Sequence, residues 1–514
     1  MKSLLTVAFC IILSISSQIG ADYTAAVIEF YPEQDETLSP DERLTRNVDG
    51  YLKLLKEIAK DHQKLDIVIF PESTLATKAI IVNHNDYLPF AVEVSVNQSL
   101  CVEEEVTFLT PLACATRTYN TYLVINLYEK TPSDSTENGW DYYNTNVVLD
   151  RSGKVISRYR KYNLFGEMFM NQTSEPDVSF FDTDFGVRFG TFICFDILFK
   201  EPALELIRNH KITDVIYPTM WFSELPFLTA LQAQLQWAYA VDATFLAAGA
   251  NDPERGSGGT GFYQGIDGAV TYDILGNNES KAFVAQLPAK TFVGEESVAD
   301  VDKKAKQMDG FYLKIDNLAP YTSKIIPSSG AKEFEKRVCH GDFCCDFKIK
   351  LERNKVDDKN NYVYHMLAFD GVRSFSGVYN GGVQICGVVA CTNENTDSCG
   401  KRFPNYDNIS WPTTFERIEI NAEFEIDDDK IQHPNSLLSN IKPLPADAIE
   451  WTNTIVNSTI TRTYILKKRQ NRLMTFAIYG RDFSRDSEPS HDNSNTHTLK
   501  LSLLIILLIL NLYV

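Results

Sequence analysis

Residues 187–248 decide the fold of the first half of the chain. They read VRFGTFICF (187–195), PALELIRN (202–209), DVIY (214–217), PFLTALQAQLQWAYAV (226–241) and FLAA (245–248). The segments at 187–195, 214–217 and 245–248 are short apolar runs typical of buried strands. The segments at 202–209 and 226–241 have the length and composition of helices. This alternation predicts an α/β domain with a largely buried sheet.

The same alternation extends back to about residue 22. Ser39-Pro-Asp-Glu42 forms a capping box with proline at the first helical position, and apolar side chains then recur at helical spacing. This pattern predicts a helix that begins near residue 40. The other predicted elements are strands at 23–30, 65–70 and 122–128, and a hairpin of 146–149 and 155–159 around the turn 150–153.

The character of the chain changes after about residue 309. Strand-like segments separated by turns dominate from there to about residue 482, and six of the cysteines lie in this part. We therefore predict an α/β domain over residues 22–308, followed by a smaller, mainly β, disulfide-containing domain over residues 309–482.

Composition and charge narrow the functional classes. Of the 514 residues, 44% are apolar and 23% are charged, which is typical of globular proteins and excludes a largely disordered or collagen-like chain. The 49 basic and 68 acidic residues give a formal net charge of −19. A protein that binds nucleic acid needs a basic face to neutralise phosphates, so we expect no nucleic-acid partner.

Both ends of the chain carry apolar segments typical of targeting signals. A lysine followed by the apolar run of residues 4–15 predicts a signal peptide over residues 1–21, because the run is too short to cross a bilayer. At the other end, a polar spacer over residues 483–500 precedes the apolar residues 501–514. This order predicts a GPI-anchor signal whose tail is removed, with attachment within residues 487–494. A short membrane anchor or a docked terminal helix is the alternative.

Glycosylation sequons fit the same compartment. Asn-x-Ser/Thr sequences occur at Asn97, Asn171, Asn278, Asn408 and Asn457, and we predict N-glycosylation at some of them. Together with the two ends, they lead us to expect a protein held by a lipid anchor on the extracellular face of the plasma membrane, or otherwise secreted.

The cysteine count leaves one thiol without a partner. Removal of the signal peptide takes away Cys10 and leaves nine cysteines, an odd number. Cys101 and Cys114 lie near each other, and the six late cysteines can form three further disulfides whose connectivity the sequence leaves open. Cys194 is then left over. Alternatively, a zinc ion could be held by Cys339, His340, Cys344 and Cys345. An oxidising compartment favours disulfides over this zinc site.

Three reactive side chains follow three predicted strands of the α/β domain. Glu72 comes just after the strand that ends at Phe70, Lys161 ends the return strand of the hairpin, and Cys194 lies at the end of the strand at 187–195. The ends of strands in α/β sheets are where functional sites are usually assembled. The sequence therefore predicts that these side chains lie together, although each of them alone is commonly a core or surface residue.

Together these residue types suit nucleophilic attack on an amide. A thiol with the ordinary pKa of about 8.5 is mostly protonated at neutral pH and needs a neighbouring base or cation. Glu72 could take and return the proton, and Lys161 could stabilise the thiolate and then the oxyanion. The backbone N–H of Phe195 would complete the oxyanion hole. No histidine lies near these segments in the sequence, so a Cys-His dyad is not predicted.

The three segments resemble the signature blocks of the nitrilase (carbon–nitrogen hydrolase) superfamily. The matching stretches are Phe70-Pro-Glu72, Arg160-Lys-Tyr-Asn-Leu-Phe-Gly-Glu167 and Phe192-Ile-Cys-Phe-Asp-Ile-Leu-Phe199. The resemblance implies a nitrilase-like αββα sandwich and a catalytic triad of Glu72, Lys161 and Cys194. It also suggests that Glu167 orients Lys161 or assists water, the alternative being a surface glutamate.

Further stretches are similar to the vanin and biotinidase branch of that superfamily. They are Tyr217-Pro-Thr-Met-Trp221, its continuation to Trp237-Ala238, and Gly258-Gly-Thr-Gly-Phe-Tyr263. The similarity implies a vanin-type C-terminal domain and a substrate pocket that Trp221 lines.

The same resemblance carries an expectation of function. It implies a cell-surface amidohydrolase that cleaves a linear, non-peptide amide through a cysteine thioester, with pantetheine as substrate and pantothenate and cysteamine as products. Biotinyl amides, hydrolysed or used for acyl transfer, are the alternative within this class, and a catalytically idle anchored scaffold is the alternative from another class. The triad chemistry needs no metal or organic cofactor, and we predict none. The oligomeric state stays open.

Overall fold

The computed structural model describes residues 22–76, 83–102, 106–355 and 359–490. Its helices are α1 (Pro40–Asp61), α2 (Thr110–Tyr119), α3 (Glu205–Arg208), α4 (Ala230–Val241) and α5 (Val298–Gln307). The strands of the first part are β1 (Tyr23–Glu29), β2 (Ile67–Ile69), β3 (Ala91–Val92), β4 (Tyr122–Pro132), β5 (Trp140–Leu149), β6 (Val155–Arg160), β7 (Ser179–Asp182), β8 (Arg188–Thr191), β9 (Asp214–Thr219), β10 (Glu224–Leu225), β11 (Thr244–Gly249), β12 (Thr260–Gln264), β13 (Gly268–Asp273) and β14 (Lys281–Leu287).

Two sheets pack face to face in this first part. One has the strand order β14-β1-β2-β4-β5-β6, with β3 beside β4, and the other has the order β13-β12-β11-β9-β8-β7. Alternate residues of a strand point to opposite faces, so Ala25 and Val27 meet the second sheet while Ala26 and Ile28 pack under α1 and α2. The outer face of the second sheet packs against α4. These layers confirm the expected αββα sandwich.

The second part is mainly β, as predicted. Its strands are β15 (Lys314–Ile315), β16 (Thr322–Ile325), β17 (Glu333–His340), β18 (Phe343–Arg353), β19 (Asn360–Asn361), β20 (Val363–Phe375), β21 (Tyr379–Cys391), β22 (Ile409–Ser410), β23 (Thr413–Glu425), β24 (Lys430–Leu438), β25 (Ile449–Val456), β26 (Thr459–Leu466) and β27 (Leu473–Asp482). They form two five-stranded sheets, β16-β20-β21-β27-β24 and β17-β18-β23-β26-β25, and the short pair β19-β22.

Helix α4 joins the two parts. Its residues from Ala230 to Ala238 are all buried, because one side packs on the sandwich and the other meets β24. The short parallel pair of β10 and β15 makes a second connection between the parts. One continuous apolar core therefore runs from the second sheet of the sandwich into the mainly β part.

The deciding segment differs from its prediction at two places. The predicted strand at 187–195 is wrong at its end, because β8 stops at Thr191 and Cys194 begins a short 3-10 helix with φ of +48°. The left-handed φ turns the chain sharply away from the sheet. Helix α4 begins four residues later than the predicted 226, because Gln232 Oε1 accepts from the backbone N–H of Thr229 at 2.9 Å and so fixes the start of the helix at Ala230.

The cysteines behave as their count predicted. Four disulfides join Cys101 to Cys114, Cys339 to Cys344, Cys345 to Cys386, and Cys391 to Cys399, and Cys194 is free and buried. The alternative zinc site is not formed, because its three sulfur atoms take part in disulfides.

The predicted signal peptide and removed tail lie outside the described residues, as does the spacer beyond residue 490. None of the helices within the described residues has the length and hydrophobicity that a bilayer span requires. Four of the five sequon asparagines are exposed, whereas Asn171 is partly buried and donates from Nδ2 to Asp141 at 3.2 Å. Glycosylation stays a prediction.

Candidate active site

Glu72 is fixed from three directions at the end of β2. The residue follows Pro71 and is 3% exposed. Its Oε1 accepts hydrogen bonds from Lys161 Nζ and from Asn144 Nδ2, both at 2.8 Å, and its Oε2 accepts from the backbone N–H of Met220 at 2.7 Å. A buried carboxylate that accepts three hydrogen bonds in this way keeps one orientation.

Lys161 lies directly after β6, with its ammonium group between two carboxylates. It is 2% exposed, and its Nζ contacts Glu72 and Glu167. Burial alone would lower the pKa of Lys161, but the negative charges of Glu167 and Glu72 outweigh it and hold the pKa well above its ordinary value. The lysine is therefore a permanent cation.

Glu167 is the second support of that cation rather than a surface residue. Besides contacting Lys161, its Oε1 accepts from Asn144 Nδ2 at 3.2 Å, and its Oε2 accepts from the backbone N–H of Phe165. Its side chain is 19% exposed and is thus less deeply buried than those of Glu72 and Lys161. Of the two roles suggested for Glu167, the geometry favours orientation of Lys161.

Cys194 completes the group at the sharp turn after β8. The residue is 4% exposed, its Sγ lies 3.6 Å from the carbonyl oxygen of Met220, and its own carbonyl oxygen accepts from Tyr217 Oη at 2.9 Å. Burial and the negative charge of Glu72 raise the pKa of the thiol well above its ordinary value, and Lys161 opposes this only in part. The Cys194 thiol therefore favours its protonated form.

An apolar cleft with an empty volume of about 340 Å³ opens beside Cys194. Trp221 lines it and donates from Nε1 to the carbonyl oxygen of Leu228 at 2.9 Å. Phe165 and Phe222 form a stacked aromatic wall, with ring centres 6.1 Å apart. Among the described residues that line the cleft there is no histidine.

Comparison with known proteins identifies the family. The family model of the carbon–nitrogen hydrolases matches residues 31–273, and that of the vanin C-terminal domain matches residues 311–486. Vanin-like protein 2 of Drosophila melanogaster is 35% identical over 90% of this chain and 90% of its own. The chain belongs to the vanin-like carbon–nitrogen hydrolases.

Two relatives whose names state an activity are less similar to this chain. Human pantetheinase is 28% identical, with 94% of each chain covered, and human biotinidase is 28% identical, with 87% of this chain and 85% of its own covered. The similarity to each spans both parts of this vanin-like hydrolase. It extends well beyond the three segments that carry Glu72, Lys161 and Cys194.

A buried ladder of polar side chains behind Glu72 escaped the sequence analysis. Asn126 donates from Nδ2 to Asn144 Oδ1 at 2.7 Å and to Asn146 Oδ1 at 3.1 Å, and its own Oδ1 accepts from the backbone N–H of Ser73 at 2.9 Å. Asn146 donates to Thr191 Oγ1 at 3.0 Å, which links the two sheets. The available signal was the presence of Asn126, Asn144 and Asn146 beside apolar residues of β4 and β5.

Asp196 is a second positioning residue that sequence reasoning assigned no role. Its Oδ1 accepts from the backbone N–H of Asn163 at 2.9 Å, and its Oδ2 accepts from Tyr159 Oη at 2.7 Å and from the backbone N–H of Ile193 at 3.0 Å. Burial raises the pKa of Asp196 to about 6, against the lowering effect of these hydrogen bonds. The carboxylate ties the loop after Lys161 to the turn that presents Cys194.

Replacing Glu72 should make the Cys194 thiol more acidic even though it removes the base. After burial, Glu72 contributes most to the raised pKa of the thiol, so Glu72→Gln should move the pH midpoint of Cys194 alkylation downward. Labelling at neutral pH should become about tenfold faster for every pH unit by which the midpoint falls. Iodoacetamide labelling, followed from neutral to alkaline pH, measures this midpoint.

Glu167→Gln is the matched control for this substitution. This substitution also removes a carboxylate from Lys161, but Glu167 lies beyond the lysine. The midpoint of Cys194 alkylation should therefore fall less than it does in Glu72→Gln. A Glu72→Gln midpoint at or above that of the wild type would contradict this electrostatic description.

Proposed function

We propose that the protein is a cell-surface amidohydrolase that cleaves a linear, non-peptide amide through a thioester on Cys194. Pantetheine is the proposed substrate, with pantothenate and cysteamine as products. The observation that carries the proposal is the position of the Glu72 carboxylate, which shares a hydrogen bond with Lys161 and interacts with the Cys194 thiol at the end of an apolar cleft. The similarity to pantetheinases supports the choice of substrate.

The first step forms the thioester. The Cys194 sulfur attacks the amide carbonyl carbon as its proton passes to Glu72, so that the thiolate never has to persist beside the carboxylate. The carbonyl oxygen becomes an oxyanion, which the Lys161 ammonium and the backbone N–H of Phe195 stabilise. When the carbon–nitrogen bond breaks, Glu72 returns the proton to the departing nitrogen and the amine leaves.

The second step reverses these roles with water. Glu72, ionised again, takes a proton from a water molecule that attacks the thioester carbonyl. The new tetrahedral intermediate collapses, the carbon–sulfur bond breaks, and the proton held by Glu72 returns to the sulfur. The acid is released and the neutral Cys194 thiol is restored. Glu167 keeps Lys161 in place throughout, because its Oε1 contacts the ammonium independently of Glu72.

Loss of the nucleophile tests the chemistry, and a substrate panel tests the specificity. Cys194→Ala should lower hydrolysis of pantetheine by more than about 10³-fold, since residues that act as one unit lose nearly all activity together. Secretion, the four disulfides and the thermal midpoint should be unchanged, because Cys194 forms no disulfide. Cysteamine release from pantetheine, lysine release from biocytin and amine release from simple acyl amides give the readout.

Each result of this panel decides between named functions. Preferred turnover of pantetheine supports the proposal, and preferred turnover of biocytin would replace it with a biotinidase-like activity. Turnover that survives in Cys194→Ala would rule out the thioester, and a wild type that is inactive on every amide would favour an idle scaffold.

We also propose that a GPI anchor holds the enzyme on the outer face of the plasma membrane. The apolar residues 501–514 after a polar spacer, the apolar run at residues 4–15 and the five sequons support this location. Phosphatidylinositol-specific phospholipase C should release the protein from intact cells, and a chain that stops at residue 490 should be secreted directly. Retention of the full chain after the phospholipase treatment would overturn the anchor.

A further inference from the structure

A carboxylate in the cleft has no part in the proposed thioester chemistry. Glu224 lines the cleft, and its side chain is 10% exposed. Its backbone is fixed by the pairing of β10 with β15 and by reciprocal hydrogen bonds with Leu228, at 3.1 and 2.9 Å. A charged group held in a largely apolar cleft needs compensation or a ligand.

Arg373 of β20 provides part of this compensation. Its Nη2 contacts Glu224 Oε1 and lies 3.2 Å from Asp316 Oδ1, and the guanidinium group is 2% exposed. Asp316 does not line the cleft, whereas Glu224 does. Of these three charged residues, Glu224 is therefore the one that the cleft can present to a ligand.

Ser376 brings a second polar group to the same wall. Its Oγ donates to Glu224 Oε2 at 3.3 Å, and it also lines the cleft. Ser376 has φ of +54°, in the left-handed region that a serine seldom adopts, within the turn that joins β20 to β21. The long hydrogen bond from Ser376 leaves Oε2 with acceptor capacity toward the cleft.

We propose that Glu224 and Ser376 form a recognition subsite for the acyl chain of the substrate. The carboxylate accepts a hydrogen bond from a hydroxyl or N–H donor of that chain, and its negative charge disfavours an acyl chain that ends in a carboxylate. The inference rests on the proposed function only in placing the acyl chain in this cleft. It also gives the mainly β part of the enzyme a role, since Arg373, Phe375 and Ser376 all come from it.

Binding to a catalytically disabled enzyme tests the subsite. In Cys194→Ala protein, calorimetry should show that pantetheine binds at least about tenfold more tightly than an analogue in which hydrogens replace both hydroxyls. This difference is expected for hydrogen bonds to a charged group. The matched analogue that ends in a carboxylate should bind more weakly still. Adding Glu224→Gln should reduce the hydroxyl preference to about threefold or less and should improve binding of the carboxylate analogue.

Asp316→Asn in the same Cys194→Ala background is the matched control. It removes the other carboxylate from Arg373 without changing a group that lines the cleft, so the hydroxyl preference should persist. The subsite would be overturned if the hydroxyl preference survived Glu224→Gln, or if it fell equally in Asp316→Asn. It would also be overturned if none of the three ligands bound measurably. Because this readout needs no turnover, a wild type that failed to hydrolyse pantetheine would count against the proposed function alone.

Discussion

The site depends on a single buried cation. The Lys161 ammonium lies between the carboxylates of Glu72 and Glu167, and burying any one of these charges alone would cost several kcal/mol, on the order of the stability of a whole domain. Together they satisfy one another. Since the pair of acids exceeds the lysine by one charge, the arrangement disfavours a permanent thiolate. In the proposed mechanism Glu72 is therefore both the partner of the cation and the acceptor of the thiol proton.

The rest of the sandwich holds these charges in register. The ladder from Asn126 to Thr191 crosses the interface between the two sheets, and it supplies the amide that Glu72 and Glu167 share. Asp196 links the loop after Lys161 to the turn that presents Cys194. The three groups of the site therefore follow different strands. The hydrogen bonds that orient them depend on the packing of the two sheets.

The sequence predicted what depends on local pattern. Alternating apolar segments predicted the sandwich, the odd cysteine number predicted a free Cys194, and strand ends predicted the meeting of Glu72, Lys161 and Cys194. Contacts between distant segments were out of reach. Nothing local to Glu224 indicates that Arg373, 149 residues later, would meet it, and the asparagine ladder becomes visible only once β4 and β5 are paired. The sharp turn at Cys194 was missed because an apolar run continues the strand pattern beyond Thr191.

The central claim is that hydrolysis passes through a thioester on Cys194. Competition between water and hydroxylamine for that thioester tests the claim most directly. Two amides with the same acyl group but different amines should pass through the same acyl-enzyme on Cys194. The ratio of hydroxamate to free acid formed at a fixed hydroxylamine concentration should therefore be identical for both, although their rates of amine release differ. A ratio that depends on the departing amine would show that the amide is attacked directly, and it would contradict both the thioester and the nucleophilic role of Cys194.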